Sequence, residues 1–598
     1  MDPYHLCLAH LNDADRTEYL AGLAPGAAID HRGTVFTPTL LSQLLDALRD
    51  PAGGHPRLGD AEFGNATFHG TARFGGTRFD GTARFGSATF TGTARFSRAV
   101  FASTTRFACA SFARDAEFAG AVFEGTTRFY GATFAGSAGF SGVRCNGTAE
   151  WGRSVFGGEA LFSRAVFDGA ARFGGVTFTA DARFGRAAFH RTALFGRTAF
   201  AGEAEFNGAA FAGAARFHGA TFARTADFYG ATFETASMLG PLVCRGKLDL
   251  SEVSFCGPVT IEAAAASLVC RRTLWAASAT LRPRYATLDF SDAVTESPLR
   301  VAARPSPFAA SSGGLLDESP LEGLEPGVRV VSVSGVDTAH MVLADINLSA
   351  CRFTGAVHLD QLRLEGRCTF ASTPTGIHRR GPVWARWTPR RTLAEEHHWR
   401  AAGGSAGWSP SSGTDTPAPA SLAPVYRQLR KSLEDGKNEP DAADFYYGEM
   451  EMRRHDPDRP RSERALLTAY WALSGYGLRA SRALSWLLLA VITTVLAMML
   501  WGVPLHSTQP SSDGAVTARR IHLVSDAPDP ANPTGPLLGR LSGRRFEKSL
   551  RVVVNSVIFR SSGQDLTTAG TYLEMASRLT EPVLLGFGLL AVRGRVKR

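Results

Sequence analysis

The sequence predicts an all-β solenoid, a helix of stacked β-coils, with a helical cap before it and an α-helical transmembrane region after it. Three observations predict this. Phenylalanine returns at spacings of five and six residues in strict alternation, from Phe63 through Phe68, Phe74, Phe79, Phe85 and Phe90 as far as Phe233. A small or β-branched residue stands two positions before each ring, as Ala61, Ala66, Ala72 and Thr77 do. Near the other end, Leu484 to Val503 runs 20 residues without a charge.

A mean spacing near 5.5 matches neither the 3.6 of a helix nor the 2 of a strand. Residues i−2 and i on a strand share a face. Each unit is therefore a very short strand with one small and one large inward side chain. Glycine often follows two after the ring (Gly70, Gly76, Gly81, Gly92), where a turn disfavours a Cβ. Three faces per coil would stack five-residue units on six-residue units. Four faces, about 22 residues per coil, stack like on like. Within the series Cys145 and Trp151 replace phenylalanine, and beyond Phe233 it continues through Leu239, Cys244, Leu250, Phe255 and Ile261, all apolar. Nine such coils make a rod of roughly 43 Å at the interstrand spacing. Each buried ring contributes on the order of 2–3 kcal/mol.

These A-x-F and A-x-L units with a following glycine resemble pentapeptide-repeat proteins. The resemblance covers residues 60–262 and implies a right-handed quadrilateral β-helix. It returns at Leu348, Phe353, Leu359, Leu364 and Phe370. The sequence departs from the family in the sixth residue of every second unit. Some family members imitate DNA, which needs an acidic rod. Here basic and acidic residues nearly balance over 60–262, so no nucleic-acid role is expected.

The outward residue alternates too. On six-residue faces it is mostly charged (Glu62, Arg73, Arg84, Arg95), and on five-residue faces mostly Thr or Val (Thr67, Thr89, Val100, Val122, Thr133). The Thr/Val faces suit a docking surface. Residues 1–58 read as a helical N-terminal cap: Asn12 and Asp13 begin one helix, and Leu40, Leu41, Leu44, Leu45 and Leu48 stripe another. Residues 59–262 are the repeat, 263–340 an irregular insertion, and 341–375 a second repeat block. A Pro/Gly/Ser-rich linker follows at 376–424. Residues 425–482 read as a helical hairpin and juxtamembrane segment, and 483–598 as the transmembrane region.

Leu484 to Val503 is long enough to cross a bilayer, with Trp486 and Trp501 near its ends as interfacial anchors. A second apolar stretch, 582–592, reaches spanning length only when extended back to Tyr572, which takes in Glu574, Arg578 and Glu581. Between the two lie an amphipathic segment, with Phe546, Leu550, Val554 and Val557 on one face, and the motif Ser562, Gly563, Gln564, Asp565. This order resembles the two-helix pore of potassium channels. A potassium filter lines up backbone carbonyls, and Gln564 stands where Tyr-Gly belongs, so the resemblance implies a degenerate filter without potassium selectivity. SGYG at 474–477 precedes the first span and reads as a turn. GFGLLA at 586–591 lacks the strand a dinucleotide site needs. Glu395, Glu396, His397 and His398 lack a third ligand position, so no metal is expected.

The net charge of +9 is small for 598 residues. Eight cysteines without paired spacing read as buried hydrophobes of a reducing compartment. The N-terminal sequence has no signal-peptide pattern. No constellation of nucleophile, base or cofactor loop is present, so neither an enzyme nor a cofactor is expected. The expectation is a scaffold or interaction module in the cell membrane, with the repeat on the cytoplasmic side. Its partners are the lipid bilayer and a protein partner or second copy. The alternative is an ion-channel-like subunit with a β-helical regulatory domain.

Overall fold

The computed structural model describes residues 7–310, 313–380, 383–410, 416–504, 511–517, 520–526, 529–559 and 565–596. Two compact units result: Met1–Pro417 with Lys431–Lys437, and Ala418–Arg430 with Asn438–Arg598.

The first unit is a β-solenoid of about 14 turns. Its strands are two residues long over most of the length, such as Ala61–Glu62, Thr67–Phe68, Ala72–Arg73 and Arg78–Phe79. All pair in parallel with the strand one coil on. Ala61 faces Ala83, Thr67 faces Thr89, Ala72 faces Ala94 and Arg78 faces Val100. Each offset is 22 residues, which gives four faces per coil. The rings form four columns. Phe63 stacks on Phe85 at 5.0 Å, Phe68 on Phe90 at 4.7 Å, Phe74 on Phe96 at 4.8 Å and Phe79 on Phe101 at 4.7 Å. Neighbouring columns meet edge to face, as Phe74 and Phe85 do at 82°. Both geometries suit the ring quadrupole. Phe63, Phe68, Phe74, Phe79, Phe85 and Phe90 are all buried.

The glycines divide by cause. Gly76 has φ +68° at a left-handed turn, the position filled by Asn65, Ser87 and Arg98 in neighbouring coils. Gly92 is not left-handed. A Cβ there would lie 2.3 Å from the Gly70 carbonyl oxygen of the adjacent coil. The first kind of site tolerates strained side chains, whereas the second excludes them sterically.

The strands reach beyond 59–262 on both sides. Ile29 pairs with Ala61 and Val35 with Thr67, so the first coil starts inside the segment read as a helical cap. That segment does hold two helices, α1 (Asp13–Ala21) and α2 (Pro38–Ala47). Asn12 caps α1 by accepting from the Asp15 amide, and α2 buries Leu40, Leu41, Leu44 and Leu45. His31 closes this end. Its ring meets Phe36 edge to face at 5.7 Å, and burial pushes its pKa down to about 4.

The 263–340 segment is not an irregular insertion. Ser254 pairs with Leu274, Val259 with Ala279, and Leu274 with Val294. The offset here is 20 residues. The shorter coil erases the 5+6 signature, and aliphatic side chains replace most rings. Only a loop between Ala302 and Arg329 interrupts the winding, because Leu299 pairs with Met341. Phe308 and Leu321 of this loop pack on Val243 and Ala264.

The expected linker also contains structure. Ile377–Arg380 and Val383–Arg386 form a hairpin, and α3 (Ala394–Ala402) follows. The Glu395 carboxylate accepts from the backbone amides of Phe353 and Thr354. Glu396 binds Arg390 and Arg400, each at 2.6 Å. The acidic pair of the EEHH stretch is thus spent on closing the far end of the solenoid. The cysteines are free, and Cys145, Cys244, Cys270 and Cys351 are buried.

Candidate functional site in the C-terminal helices

The second unit begins with a helical hairpin. In it α4 (Pro419–Asp435) precedes α5 (Glu439–His455), and α6 (Arg461–Ser474) follows. Gly448 lets the Tyr426 ring pack against α5, since a Cβ there would meet the ring at 2.4 Å. The SGYG stretch is a turn, as its sequence predicts. Gly475 ends α6 in the left-handed conformation and Tyr476 is buried. The Tyr476 hydroxyl donates to Glu451 at 3.0 Å, and burial pushes this phenol's pKa up.

Among the described residues, two helices are long and apolar enough to cross a membrane. One is α7 (Ala480–Ala497) with its π-helical extension Met498–Gly502, and the other lies within α9 (Thr568–Val596). Only 22% of the most apolar window of each is buried. A core helix of a water-soluble domain would be mostly enclosed. Instead Leu484, Trp486, Leu488, Leu489, Ile492 and Trp501 are exposed on α7, and Met575, Leu579 and Val583 on α9. Val503, read as the end of the first span, is buried.

Polar groups face the other way. The first half of α9, which counted against a second span in the sequence, turns its two carboxylates inward, while Arg578 is exposed. Glu574 is buried and holds Arg578 at 2.7 Å, and Arg578 also donates to Ser556 at 3.1 Å. Glu581 is 0% exposed. Carboxylates that point into a helical bundle leave the outer face of this candidate span more apolar than its sequence suggests.

The amphipathic segment is α8 (Gly543–Phe559), which packs on both α7 and α9. Val552 and Val553 are buried against Val495, Met498 and Met499, while Phe546, Leu550 and Val554 are exposed. Val557 lies outside the residues whose side chains are described. The small residues Ser549 and Ser556 are buried on the same side as Val552 and Val553.

One end of this group is locked by polar contacts. Thr567 Oγ1 donates to the Trp501 carbonyl at 2.7 Å, and the Thr567 amide donates to the Gly502 carbonyl at 3.1 Å. A Cβ on Gly570 would lie 2.4 Å from the Gly502 carbonyl oxygen, and one on Gly502 would lie 2.3 Å from the Met498 sulfur. The π-helical end leaves carbonyls without intrahelical donors. Arg545 donates to Met499 O at 2.7 Å and Val503 O at 2.6 Å, and Arg540 to Leu500 O at 2.9 Å. Cations suit a helix C-terminus on electrostatic grounds as well. Of the pore-like motif, Ser562, Gly563 and Gln564 lie outside the described residues. Asp565 is described and exposed, shortly before α9.

On the solenoid, the six-residue faces carry charge ladders between coils, including Arg95–Glu117 at 3.4 Å and Arg128–Glu150 at 3.3 Å. The Thr/Val columns run beside them, Thr67–Thr89 and Val100–Val122 among them.

A family model for pentapeptide repeats matches nine copies, over residues 63–108, 152–199 and 195–240. The solenoid is built of pentapeptide repeats. No curated protein and no solved structure matches the chain.

Within the solenoid the core stack is where its spacing placed it. The residues that join the C-terminal helices escaped sequence reading: Thr567, Gly570, Gly502, Arg540 and Arg545. A periodicity argument finds faces, but these are single contacts between distant segments. Glycines placed at both Gly502 and Gly570 were the available signal. Among the described residues, no group of three or more His, Cys, Asp or Glu could hold a metal ion.

Proposed function

We propose that this solenoid protein is a membrane-anchored, non-catalytic scaffold. In this reading α7 and α9 span the cell membrane, and the solenoid stands on its cytoplasmic side to present its Thr/Val columns to a protein partner. The observation that carries the anchor is the inverted packing of the C-terminal helices. Large apolar side chains cover their outside and carboxylates sit inside. In water this exposes far more apolar surface than a monomer usually shows, whereas in lipid it is the ordinary arrangement. The solenoid supports the scaffold reading because its core is filled by rings and leaves its faces free for contact.

Exposed Cys109 and Cys256 offer a direct test of sidedness. A membrane-impermeant maleimide should label them in inverted membrane vesicles and not in intact cells. Labelling in intact cells would place the solenoid outside and refute the proposed orientation. For the docking surface, Thr133→Arg with Val155→Arg should abolish co-purification of the partner while the solenoid stays folded.

A second reading is a channel-like subunit. The observation favouring it is that α8 lies between the two candidate spans in sequence and packs on both. Potassium flux from loaded vesicles that is lost in Asp565→Asn would support this reading. Its degenerate motif argues for no selective potassium flux.

A further inference from the structure

The second candidate span carries a carboxyl group that no neighbour answers. Glu581 lies near the middle of Thr568–Val592 and is 0% exposed. Neither of its oxygens has a hydrogen-bond partner among the described residues. Glu574, two turns earlier, is matched with Arg578, so the two carboxylates of this helix face are in different situations.

Its polar neighbour is a hydroxyl, and the charged groups of the surrounding helices are committed elsewhere. From α7 the Thr494 hydroxyl faces it. That hydroxyl gives its proton to the Ala490 carbonyl at 2.9 Å. With its hydrogen directed there, what it has left to offer Glu581 is an oxygen lone pair. A carboxylate can only accept, whereas a carboxylic acid can donate. On α9, Arg578 is committed to Glu574 and Ser556. On α8, Arg551 pairs with Glu547. On α6, Tyr470 packs beside Phe587, and Glu463 binds Arg453 and Arg459. Arg540 and Arg545 are held by backbone carbonyls at the end of α7. Lipid or a second copy cannot supply the missing partner, because the side chain is closed off within one chain. A metal cation would need several more oxygen ligands, and no such group occurs among the described residues.

We propose that Glu581 is a proton-binding site inside the pair of spanning helices, with Thr494 Oγ1 as the acceptor for its carboxyl hydrogen. The inference rests on reading α7 and α9 as membrane spans. Ionising Glu581 in this packing would leave a charge without solvent or partner. Release of the proton is therefore coupled to opening of the α7–α9 contact, and proton occupancy and helix packing form one linked equilibrium.

The test uses the full chain reconstituted in liposomes, floated on a density gradient, and treated with a membrane-soluble fluorescent carbodiimide. Such a reagent captures protonated carboxyls in apolar surroundings. Peptide mapping should place the label on Glu581. The label should disappear in Glu581→Gln and persist in Glu574→Gln. A floating protein without label on Glu581 would overturn the proposal, and mapping on the unsubstituted chain decides this even where a variant misfolds. Label on that peptide that survives Glu581→Gln would overturn it too. A chain that does not float would overturn the membrane reading and this inference with it.

Discussion

The solenoid and the C-terminal helices are held together by opposite strategies. In the solenoid one contact is repeated. Phe63 on Phe85 is the same interaction as Phe85 on Phe107, and the amide of Phe63 reaches Arg84 O as that of Phe85 reaches Arg106 O. No single residue is irreplaceable, and Cys145 and Trp151 stand in ring positions without breaking the winding. In the C-terminal helices each contact occurs once. Thr567, Arg545 and the Gly502–Gly570 approach each join particular segments, and no neighbour duplicates them. Redundancy gives a rod that can vary its surface. Singular contacts give a unit whose packing can respond to one group.

This contrast can be tested by perturbing each region. The largest effect is expected from Phe107→Ala, which removes a ring stacked on both sides. It should cost about 3–5 kcal/mol. Because coils contact only their neighbours, hydrogen exchange should rise in the adjacent coils and stay unchanged in distant ones. Loss of protection along the whole solenoid would mean that it folds as one unit.

Next is the N-terminal end in acid. His31 is neutral when folded, with its pKa pushed down to about 4 by burial. Its unfolded pKa is near 6.5. The unfolded chain therefore binds the extra proton between these values, and stability is full above about pH 6.5 and lost as pH falls toward 4. The loss approaches ~3 kcal/mol. Chemical denaturation across this range, beside His31→Leu, measures it. The Leu variant should lack that part of the slope.

Thr567→Val should cost about 1–2 kcal/mol, since the carbonyls of Trp501 and Gly502 lose their side-chain donor. Thermal unfolding of the detergent-solubilised chain reports it. The smallest effect is Arg128→Ala in a surface ladder, where an exposed guanidinium meets the half-buried Glu150, at most about 0.5 kcal/mol and less in high salt. An effect as large as that of Phe107→Ala would show that the ladders, and not the rings, hold the coils.

The sequence was most readable where the structure repeats. Four faces, 22-residue coils and the inward ring columns follow from spacing alone, because a repeat prints the same constraint many times. Reading failed where the repeat changed its length. The 20-residue coils after Phe255 keep the same winding with Trp275, Leu281 and Leu288 inside, yet no longer alternate five and six. It failed again at α3, where the polar composition suggested a linker. Glu395 and Glu396 are buried there because backbone amides and arginines meet them, a pairing that composition does not reveal. For α8, amphipathicity gave the helix and grouped Phe546, Leu550 and Val554 on one face, which is the exposed one. Periodicity says which residues share a side but not which side meets protein, and in an apolar solvent the larger side chains can face outward. The inward carboxylates of α9 misled for the same reason.

The central claim is that α7 and α9 anchor the solenoid in a bilayer. Its most direct test is extraction of cell membranes carrying the full chain with alkaline, high-salt buffer. The account predicts that the protein stays with the membrane pellet, as an integral protein does. Release into the supernatant would contradict it, and would assign the exposed apolar faces of α7 and α9 to a contact between protein chains.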